Sequence, residues 1–416
     1  MNLTRRSFLR ATALLGLTPI PRVLLGAAER MASTDDRILV VLELSGGNDG
    51  LNTVIPFEDP AYQKNRPTLA QRKGTVLPLG DPGEGKGSGG AGPGAAELGL
   101  HSSMGALRDL YREGAVAVVQ GVGYPNPSRS HFRSMDIWHT ARPEVEDVST
   151  GWLGSTISRS RGRLGALDIG DDRLPLALSG DLHVPALRNL DWVDFLVTDK
   201  GKELRRRLRT LNARDRVGDV ERVRNLALST LHDLEGLAAM RNQPVAVQYP
   251  ESRLGDRLKW AGQLIAGGFE SRIYYLSHGG FDTHAAQKDS HAELLRQLSE
   301  GVSAFHRHMK AAGASGRVVL LVFSEFGRRV RENNSLGTDH GCAAPVLVVS
   351  GAARGGIHGA HPSFDDLDDG DLRHHTDFRR VYATVLEDVL GTDPEPVLGG
   401  KYEKLDLLRM GKRARV

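Results

Sequence analysis

Acidic and histidine side chains follow several predicted strands at the point where each strand ends. The stretch HGGFDTH brings Asp282 and His284 after an apolar run, and GTDHG places Asp339 beside His340. Carboxylate and imidazole groups together are typical ligands of zinc and other borderline divalent ions. Each motif alone has an ordinary interpretation, because an Asp-His pair can form a hydrogen-bonded turn and DTH can cap a helix. Their recurrence at successive strand ends favours a metal site.

The elements that must position these side chains can be read from hydrophobic patterning. Short, nearly continuous apolar runs predict buried strands at residues 37–44, 115–122, 174–179, 272–277, 317–324 and 345–351. Helical periodicity predicts helices at residues 103–113, 199–240, 251–267, 287–312 and 376–390. This alternation predicts an α/β layered fold, with helices on both faces of a mostly parallel central sheet. Ligands of such sheets gather at the carboxyl ends of the strands.

Two further predicted strands end in groups that belong to the same edge. The run at 37–44 leads to Asn48 and Asp49, and the run at 317–324 leads directly to Glu325 and Arg328. Whether Asn48 or Asp49 acts as the ligand stays open. The sequence therefore predicts one or two divalent ions, zinc first, with manganese, calcium or magnesium as alternatives. The predicted ligands are Asp49, Asp282, His284, Glu325, Asp339 and His340.

The N-terminus has the parts of a twin-arginine export signal in the right order. Arg5 and Arg6 precede Ser7-Phe8-Leu9, a modestly apolar run and small residues. We expect residues 1–32 to direct export to the periplasm or outside the cell through the twin-arginine machinery, with cleavage left open. Cys342 is the single cysteine, so no intrachain disulfide can form. No later segment is apolar enough to span a membrane.

Composition limits the classes of partner. The formal charge is only +3 in 416 residues, which gives no electrostatic footprint for nucleic acid. The basic stretch at 202–224 carries leucines at helical spacing, which indicates an amphipathic helix with solvated arginines. We expect a single domain over residues 33–416, with a Gly-rich surface loop at 79–99 and a helical cap or insertion at 180–260.

An ordered set of motifs resembles a known family. LSGGNDGLNTVIPF, SRSHFRSMDIW, GGFDTH, SEFGR and GTDHG occur in that order behind the N-terminal signal. They resemble a large bacterial family of exported proteins of unknown function, which is similar to the alkaline phosphatase and sulfatase superfamily. The resemblance covers nearly all of the chain after the signal and implies an alkaline phosphatase-like fold. It also implies hydrolysis of a phosphate or sulfate ester on a small molecule or glycan.

The resemblance further implies a nucleophile where a helix begins. Ser130 is the first candidate and Ser128 the second, with Arg129 or Arg328 holding the anionic ester. The alternative interpretation is that Ser128 caps the helix and Arg129 faces solvent. His131 is expected to be an outer group of the site or a residue that packs on the helix.

The motifs also depart from the superfamily pattern. Pro125 stands where sulfatases place Cys or Ser, so formylglycine chemistry is not expected, and DTH has one intervening residue instead of three. These departures keep a second function open, that of a non-catalytic envelope protein that binds a glycan or protein partner. A phosphosugar isomerase or mutase is a third alternative.

Overall fold

The computed structural model describes residues 37–80, 98–146, 148–160, 164–170, 173–187, 198–211, 240 and 245–410. All of them belong to one compact unit, Arg37–Val416. The predicted signal and most of the predicted Gly-rich loop lie outside the described residues, as do residues 212–239 of the predicted 199–240 helix. Within the described residues, no helix has the length and apolar character needed to cross a membrane.

Fifteen strands occur in the described residues. They are β1 (Ile38–Ser45), β2 (Val54–Pro56), β3 (Leu77–Pro78), β4 (Leu98–Leu100), β5 (Val116–Gly123), β6 (Ala166–Ile169), β7 (Ile273–Gly279), β8 (Val318–Phe323), β9 (Arg328–Glu332), β10 (Thr338–His340), β11 (Ala344–Val349), β12 (Gly356–His358), β13 (Leu367–Asp368), β14 (Asp371–Leu372) and β15 (Thr376–Asp377). The α-helices of the same residues are α1 (Pro60–Asn65), α2 (Gly105–Arg112), α3 (His131–Thr140), α4 (Trp152–Arg159), α5 (Asp199–Leu211), α6 (Arg253–Ala266), α7 (Gln287–Ala311), α8 (Phe378–Val385) and α9 (Pro394–Leu398).

The central sheet has the order β12-β5-β11-β8-β1-β7-β6, and β15 also pairs with β5. All of its pairings are parallel except those of β11 with β5 and with β8. The predicted α/β fold with a mostly parallel sheet is therefore confirmed. Because β8, β1 and β7 are adjacent and parallel, the loops that follow them meet at one edge.

Both faces of the sheet are covered, which explains why its strands are apolar without alternation. On β1, Val40 and Leu42 belong to one core cluster and Leu39 and Val41 to the other, since successive side chains point to opposite faces. The first cluster includes side chains of α2, α6 and α7, and the second those of α3, α4 and α8. Each fully buried aliphatic side chain contributes roughly 1.5–3 kcal/mol to this packing.

One predicted strand is wrong and one predicted helix has an exposed leucine. Residues 174–179 contain a short 3-10 helix, Leu176–Leu178, and the nearby strand is β6. Pro175 immediately precedes this turn, and proline has no N–H to give to a sheet. In α5, Leu204 is 39 % exposed, so it does not form a buried stripe.

Candidate metal centre

Four segments deliver polar side chains to the edge where β1, β7 and β8 end. The loop after β7 carries Asp282 and His284, and the loop after β8 carries Glu325. The short strand β10 carries Asp339 and His340. A fourth segment is the first turn of α3, which begins at His131.

Three histidines converge on a single carboxylate oxygen. Asp282 Oδ1 lies 3.2 Å from His131 Nε2, 3.0 Å from His284 Nε2 and 3.2 Å from His340 Nε2. The Nε2 atoms of His284 and His340 are 2.8 Å apart. Among the described residues, His131, Asp282 and His340 form the group whose ligand atoms all lie within 4.8 Å of one another. Three imidazole nitrogens and one carboxylate oxygen are a donor set that suits zinc.

The other ring nitrogen of each histidine faces an oxygen acceptor. His131 Nδ1 is 2.8 Å from Glu325 Oε1, and His340 Nδ1 is 2.7 Å from the carbonyl oxygen of Arg129. His284 Nδ1 is 3.3 Å from Asp339 Oδ1. Metal-binding histidines almost always have such a partner, because it fixes the tautomer and the ring orientation.

The tautomers follow from the chemistry of these acceptors. A carbonyl oxygen can only accept, so His340 must carry a proton on Nδ1. Burial lowers the pKa of His340, which favours the neutral ring with a bare Nε2. His131 Nε2 is buried and, apart from its 3.2 Å contact with Asp282 Oδ1, has no polar partner among the described residues. A divalent cation would satisfy these lone pairs, so the residues present fit a bound metal ion.

Glu325 is the buried support of this arrangement. Its side chain is 1 % exposed, and Oε1 also accepts a hydrogen bond of 2.9 Å from the backbone N–H of Gly46. Burial raises the pKa of Glu325, but the hydrogen bonds from His131 and the backbone outweigh it and leave the pKa lowered. The same hydrogen bond to Glu325, reinforced by Asp282, raises the pKa of His131.

Gly46 can present its N–H here because it has no side chain. Its φ is +118°, and a Cβ at this position would lie 2.4 Å from the backbone nitrogen of Asp282. Gly337 serves a similar need, since a Cβ there would lie 2.3 Å from the backbone of His284. Both glycines allow loops of the site to touch through their backbones.

Arg328 lies beneath the cluster and does not face it as an anion clamp. Its side chain is 0 % exposed. The guanidinium donates to the carbonyl oxygens of Gly46, Gly47, Phe281 and Thr338. It also donates to Asp282 Oδ1 at 2.8 Å. The predicted role of Arg328 in holding an ester is therefore not supported by this geometry, because its donors tie the loops together and orient Asp282.

The neighbours of Asp282 change the pKa of its carboxyl group. Burial raises its pKa, but the hydrogen bond and the positive charge of Arg328 outweigh that effect and hold the pKa well below its usual range. The carboxylate is therefore ionised and able to accept from, or bind, a cation at neutral pH.

Asp49 is held by a different set of residues. Its carboxylate is fully buried and lies 2.5 Å from Arg66 Nη1 and 2.5 Å from Gln287 Nε2. Arg66 also donates to the carbonyl oxygens of Val330 and Arg329. Asp49 does not belong to the group of ligand atoms that lie together among the described residues, and a buried arginine compensates its charge.

The two candidate serines lie at the start of α3 and have different contacts. Ser130 is the N-cap residue, it is exposed, and its side chain makes no capping hydrogen bond. Ser128 Oγ accepts from the N–H of Ser130 at 3.2 Å. Ser128 therefore has a local structural role, whereas the Ser130 hydroxyl is left for other chemistry next to His131.

The side chain of Arg129 is paired with acidic groups. Its Nε lies 2.8 Å and its Nη2 2.6 Å from Asp371 Oδ2, and its Nη1 lies 2.9 Å from Asp369 Oδ2. The side chain is 38 % exposed and paired with both Asp369 and Asp371, so it does more than face solvent. Its backbone carbonyl, which accepts from His340, connects it to the histidine group.

The position of His131 within the histidine group was not predicted from the sequence, which gave it only as an outer group of the site or a residue packed on the helix. One signal was available, because SRSHF places a histidine in the first turn of a helix that follows a buried strand. Asn333, which donates to Asp339 Oδ1 at 2.9 Å and to the carbonyl oxygen of His284, carried no such signal.

Comparison with solved structures returns proteins of low identity. The PsFucS1 sulfatase from Pseudoalteromonas sp. is 11 % identical, with 96 % of this chain and 78 % of that chain covered and a TM-score of 0.37. The phosphonate monoester hydrolase of Agrobacterium radiobacter is 9 % identical, with 88 % and 78 % covered and a TM-score of 0.38. Alkaline phosphatase from the Antarctic bacterium TAB5 is 10 % identical, with 77 % and 94 % covered and a TM-score of 0.32. At these TM-scores the likenesses carry no argument about what this chain does.

A search of the curated proteins returned no match. The model of a protein family of unknown function, DUF1501, matches residues 99–406. These residues include all four histidine and carboxylate positions of the centre, namely His131, Asp282, His284 and His340. The chain belongs to the DUF1501 family.

Proposed function

We propose that this protein is an exported, metal-dependent hydrolase of phosphate or sulfate esters. One observation carries the proposal, the convergence of three histidine Nε2 atoms on Asp282 Oδ1 while each Nδ1 faces an oxygen. Purely structural histidines have no need to point their free nitrogens at one another. Export rests on the predicted twin-arginine signal and stays a prediction.

The proposed ligands are His131, Asp282, His284 and His340. Glu325 and Asp339 act behind them, because each faces the Nδ1 atom of a histidine. Three nitrogen donors favour zinc over calcium or magnesium, and manganese is the alternative. A bound divalent cation supplies Lewis acidity, which stabilises negative charge on an ester oxygen.

Ser130 is the proposed nucleophile. It precedes His131 directly, and the first turn of α3 leaves backbone N–H groups that are available to an anionic ester. Attack by Ser130 Oγ forms a bond to phosphorus or sulfur and releases the alcohol, which takes up a proton. Water then breaks the bond to the serine and releases phosphate or sulfate.

The chain's own groups prepare this step. Glu325 keeps the Nδ1 proton on His131, so that the Nε2 lone pair faces the cluster. Arg328 holds Asp282 and the Gly46–Gly47 loop in one rigid unit, which fixes the first turn of α3 relative to the other ligands through Glu325. Such preorganised groups lower the cost of reorganisation in the reaction.

The test measures zinc content and ester turnover on the same protein. The full chain, loaded with zinc, is assayed with 4-nitrophenyl phosphate and 4-nitrophenyl sulfate across pH 5–10. We expect one equivalent of zinc that is lost in His340→Ala, and turnover that is lost in Ser130→Ala although zinc is retained. Ser128→Ala is the matched control and should cost about 1 kcal/mol of stability at most, with activity retained.

Two results would contradict the proposal in different ways. Failure to bind zinc would remove the metal centre. Zinc binding without turnover of either ester class would leave the centre and favour the non-catalytic envelope protein that binds a glycan or protein partner.

A further inference from the structure

Two arginines next to the centre share one exposed carboxylate. Asp369 Oδ2 lies 2.9 Å from Arg129 Nη1 and 3.3 Å from Arg329 Nη2. Arg329 Nη1 also donates to the carbonyl oxygen of Asp369 at 3.1 Å. The side chain of Asp369 is 73 % exposed, whereas those of Arg129 and Arg329 are 38 % and 33 % exposed.

The two arginines belong to two different segments that also position histidines of the group. Arg129 lies two residues before His131, and its carbonyl oxygen accepts the Nδ1 proton of His340. Arg329 follows Arg328 on β9, and Arg328 pairs with His340 of β10. Arg129 is therefore two residues from one proposed ligand, and Arg329 is adjacent to the residue that pairs with another.

A second aspartate accounts for part of the positive charge. Asp371 is 0 % exposed, and its Oδ2 lies 2.8 Å and 2.6 Å from Arg129 Nε and Nη2. It also accepts from the thiol of Cys342 at 3.1 Å. Its Oδ1 lies 3.8 Å from Arg329 Nε, so the buried Asp371 contacts both arginines. Asp371 compensates one of the two positive charges, and Asp369 compensates the other.

Asp369 lies at an exposed position from which an external anion can displace its carboxylate. It occupies the tip of a hairpin between β13 and β14, and Asp369 and Gly370 both have positive φ, at +51° and +83°. This is the usual form of a two-residue Asp-Gly turn. An ion pair of so exposed a carboxylate is weakened by solvent and salt, so another anion can replace it at low cost.

We propose that Arg129 and Arg329 form a second anion subsite, which Asp369 occupies in the structure and which an anionic group of the substrate takes over. This inference rests on the proposed function and deepens it. The substrate is then an ester that carries a further carboxylate, sulfate or phosphate beside the group that is cleaved, such as a polyanionic sugar. Arginine forks are suited to these planar or tetrahedral oxyanions.

Binding of matched ligands by calorimetry tests the subsite. The zinc-loaded full chain with Ser130→Ala, which prevents turnover, is titrated with a disulfated disaccharide and its monosulfated form. A sugar bisphosphate and the corresponding monophosphate form the second pair. We expect the dianionic member of at least one pair to bind about tenfold more tightly, since a hydrogen bond to a charged group is of that order.

Three further variants separate the subsite from general charge. Arg329→Gln should abolish most of this preference. Arg331→Gln, which removes an exposed arginine two residues along β9, should retain it. Asp369→Asn should strengthen binding of the dianionic ligand about two- to fivefold, because the internal competitor is gone.

Equal losses in Arg329→Gln and Arg331→Gln, or no gain in Asp369→Asn, would overturn the subsite and make Asp369 a structural bridge. The assay of ester turnover is independent. A dianion preference without turnover by the unmodified chain refutes the hydrolase and leaves the subsite, whereas turnover with equal affinities refutes the subsite alone.

Discussion

Replacing Glu325 by glutamine removes the charge of this side chain from the proposed metal centre while preserving its shape. The carboxylate is 1 % exposed, and Oε1 accepts both from Gly46 N–H at 2.9 Å and from His131 Nδ1 at 2.8 Å. Oε2 lies 3.0 Å from Ser324 Oγ. A glutamine in the same rotamer keeps its oxygen at the Oε1 position and offers its amide group to Ser324. The variant therefore loses the negative charge, keeps the hydrogen bonds from Gly46 and His131, and reverses the direction of the one with Ser324.

We expect Glu325→Gln to weaken the binding of zinc. Partners of metal-binding histidines typically contribute about 10–100-fold to metal affinity, or roughly 1.4–2.8 kcal/mol. Because Glu325 is buried, solvent does not screen its charge, and we expect Glu325→Gln to raise the Kd for zinc within that range.

Asp339→Asn is the matched comparison. Asp339 faces His284 Nδ1 in a similar way, but the distance is 3.3 Å and its side chain is 56 % exposed. A weaker, solvated contact should change the Kd for zinc by only about two- to fivefold. Both Kd values are measured by competition with a chromophoric chelator at pH 8, with circular dichroism as the check on folding.

The pH matters because a cation and a proton compete for His131. Glu325 raises the pKa of His131, so at low pH the unmodified protein must also release a proton from this ring when zinc binds. The difference between the protein and Glu325→Gln should therefore shrink as the pH falls. Equal effects of the two variants, or no effect of Glu325→Gln at pH 8, would refute the assignment of Glu325 as the partner of a metal ligand.

Three further predictions concern stability. Arg66→Met should lower the free energy of unfolding by about 3–5 kcal/mol, measured by urea denaturation, because it leaves Asp49 buried and uncompensated; a loss below about 1 kcal/mol would contradict this. Burial raises the pKa of Asp49, but the charge and hydrogen bond of Arg66 outweigh burial, so the pKa in the folded protein is lowered. The ionised Asp49 should therefore stabilise the fold fully above its unfolded pKa of about 3.9, and this stabilisation should be lost as the pH falls through the folded pKa. Arg66→Met should remove that part of the acid dependence in denaturation curves between pH 5 and pH 2. Gly46→Ala should both destabilise the protein and weaken zinc binding, because the added Cβ would clash with the backbone of Asp282. Gly105→Ala is the control and should leave zinc binding unchanged, because a Cβ there has nothing within 4 Å. Equal zinc affinities of the two variants would count against a role for the Gly46 backbone.

The fold could be predicted largely because the sheet is buried on both faces. Strands β1, β8 and β11 are apolar at nearly every position, which distinguishes them from amphipathic helices. The failure at residues 174–179 has a local cause, since the apolar run is too short to override Pro175. Tertiary pairing, which placed β6 beside β7, is not visible in such a short run.

The position of the site in the fold could be predicted from the sequence, but the role of each side chain in it could be predicted less well. Adjacent parallel strands bring their following loops together, so the edge that carries Asp282, His284 and Glu325 follows from topology. The separation between a metal ligand and the group behind it is a few ångströms, and strand order does not fix it. Asp49 illustrates the limit, because its partner Arg66 comes from a segment after α1 without any recognisable motif.

The adjacent pair Asp339-His340 shows how strand geometry can distinguish a side chain within the histidine group from one that lies behind it. Successive residues of an extended strand point to opposite sides, so two neighbours in β10 cannot readily reach the same ion from one side. His340 Nε2 accordingly faces Asp282, whereas Asp339 bonds to Asn333 and faces the outer nitrogen of His284. In Asp282-Thr283-His284 the two side chains are separated by one residue, and both reach the cluster. In this protein the alternating pair therefore brings both side chains into the histidine group, whereas the adjacent pair brings in His340 and leaves Asp339 behind His284.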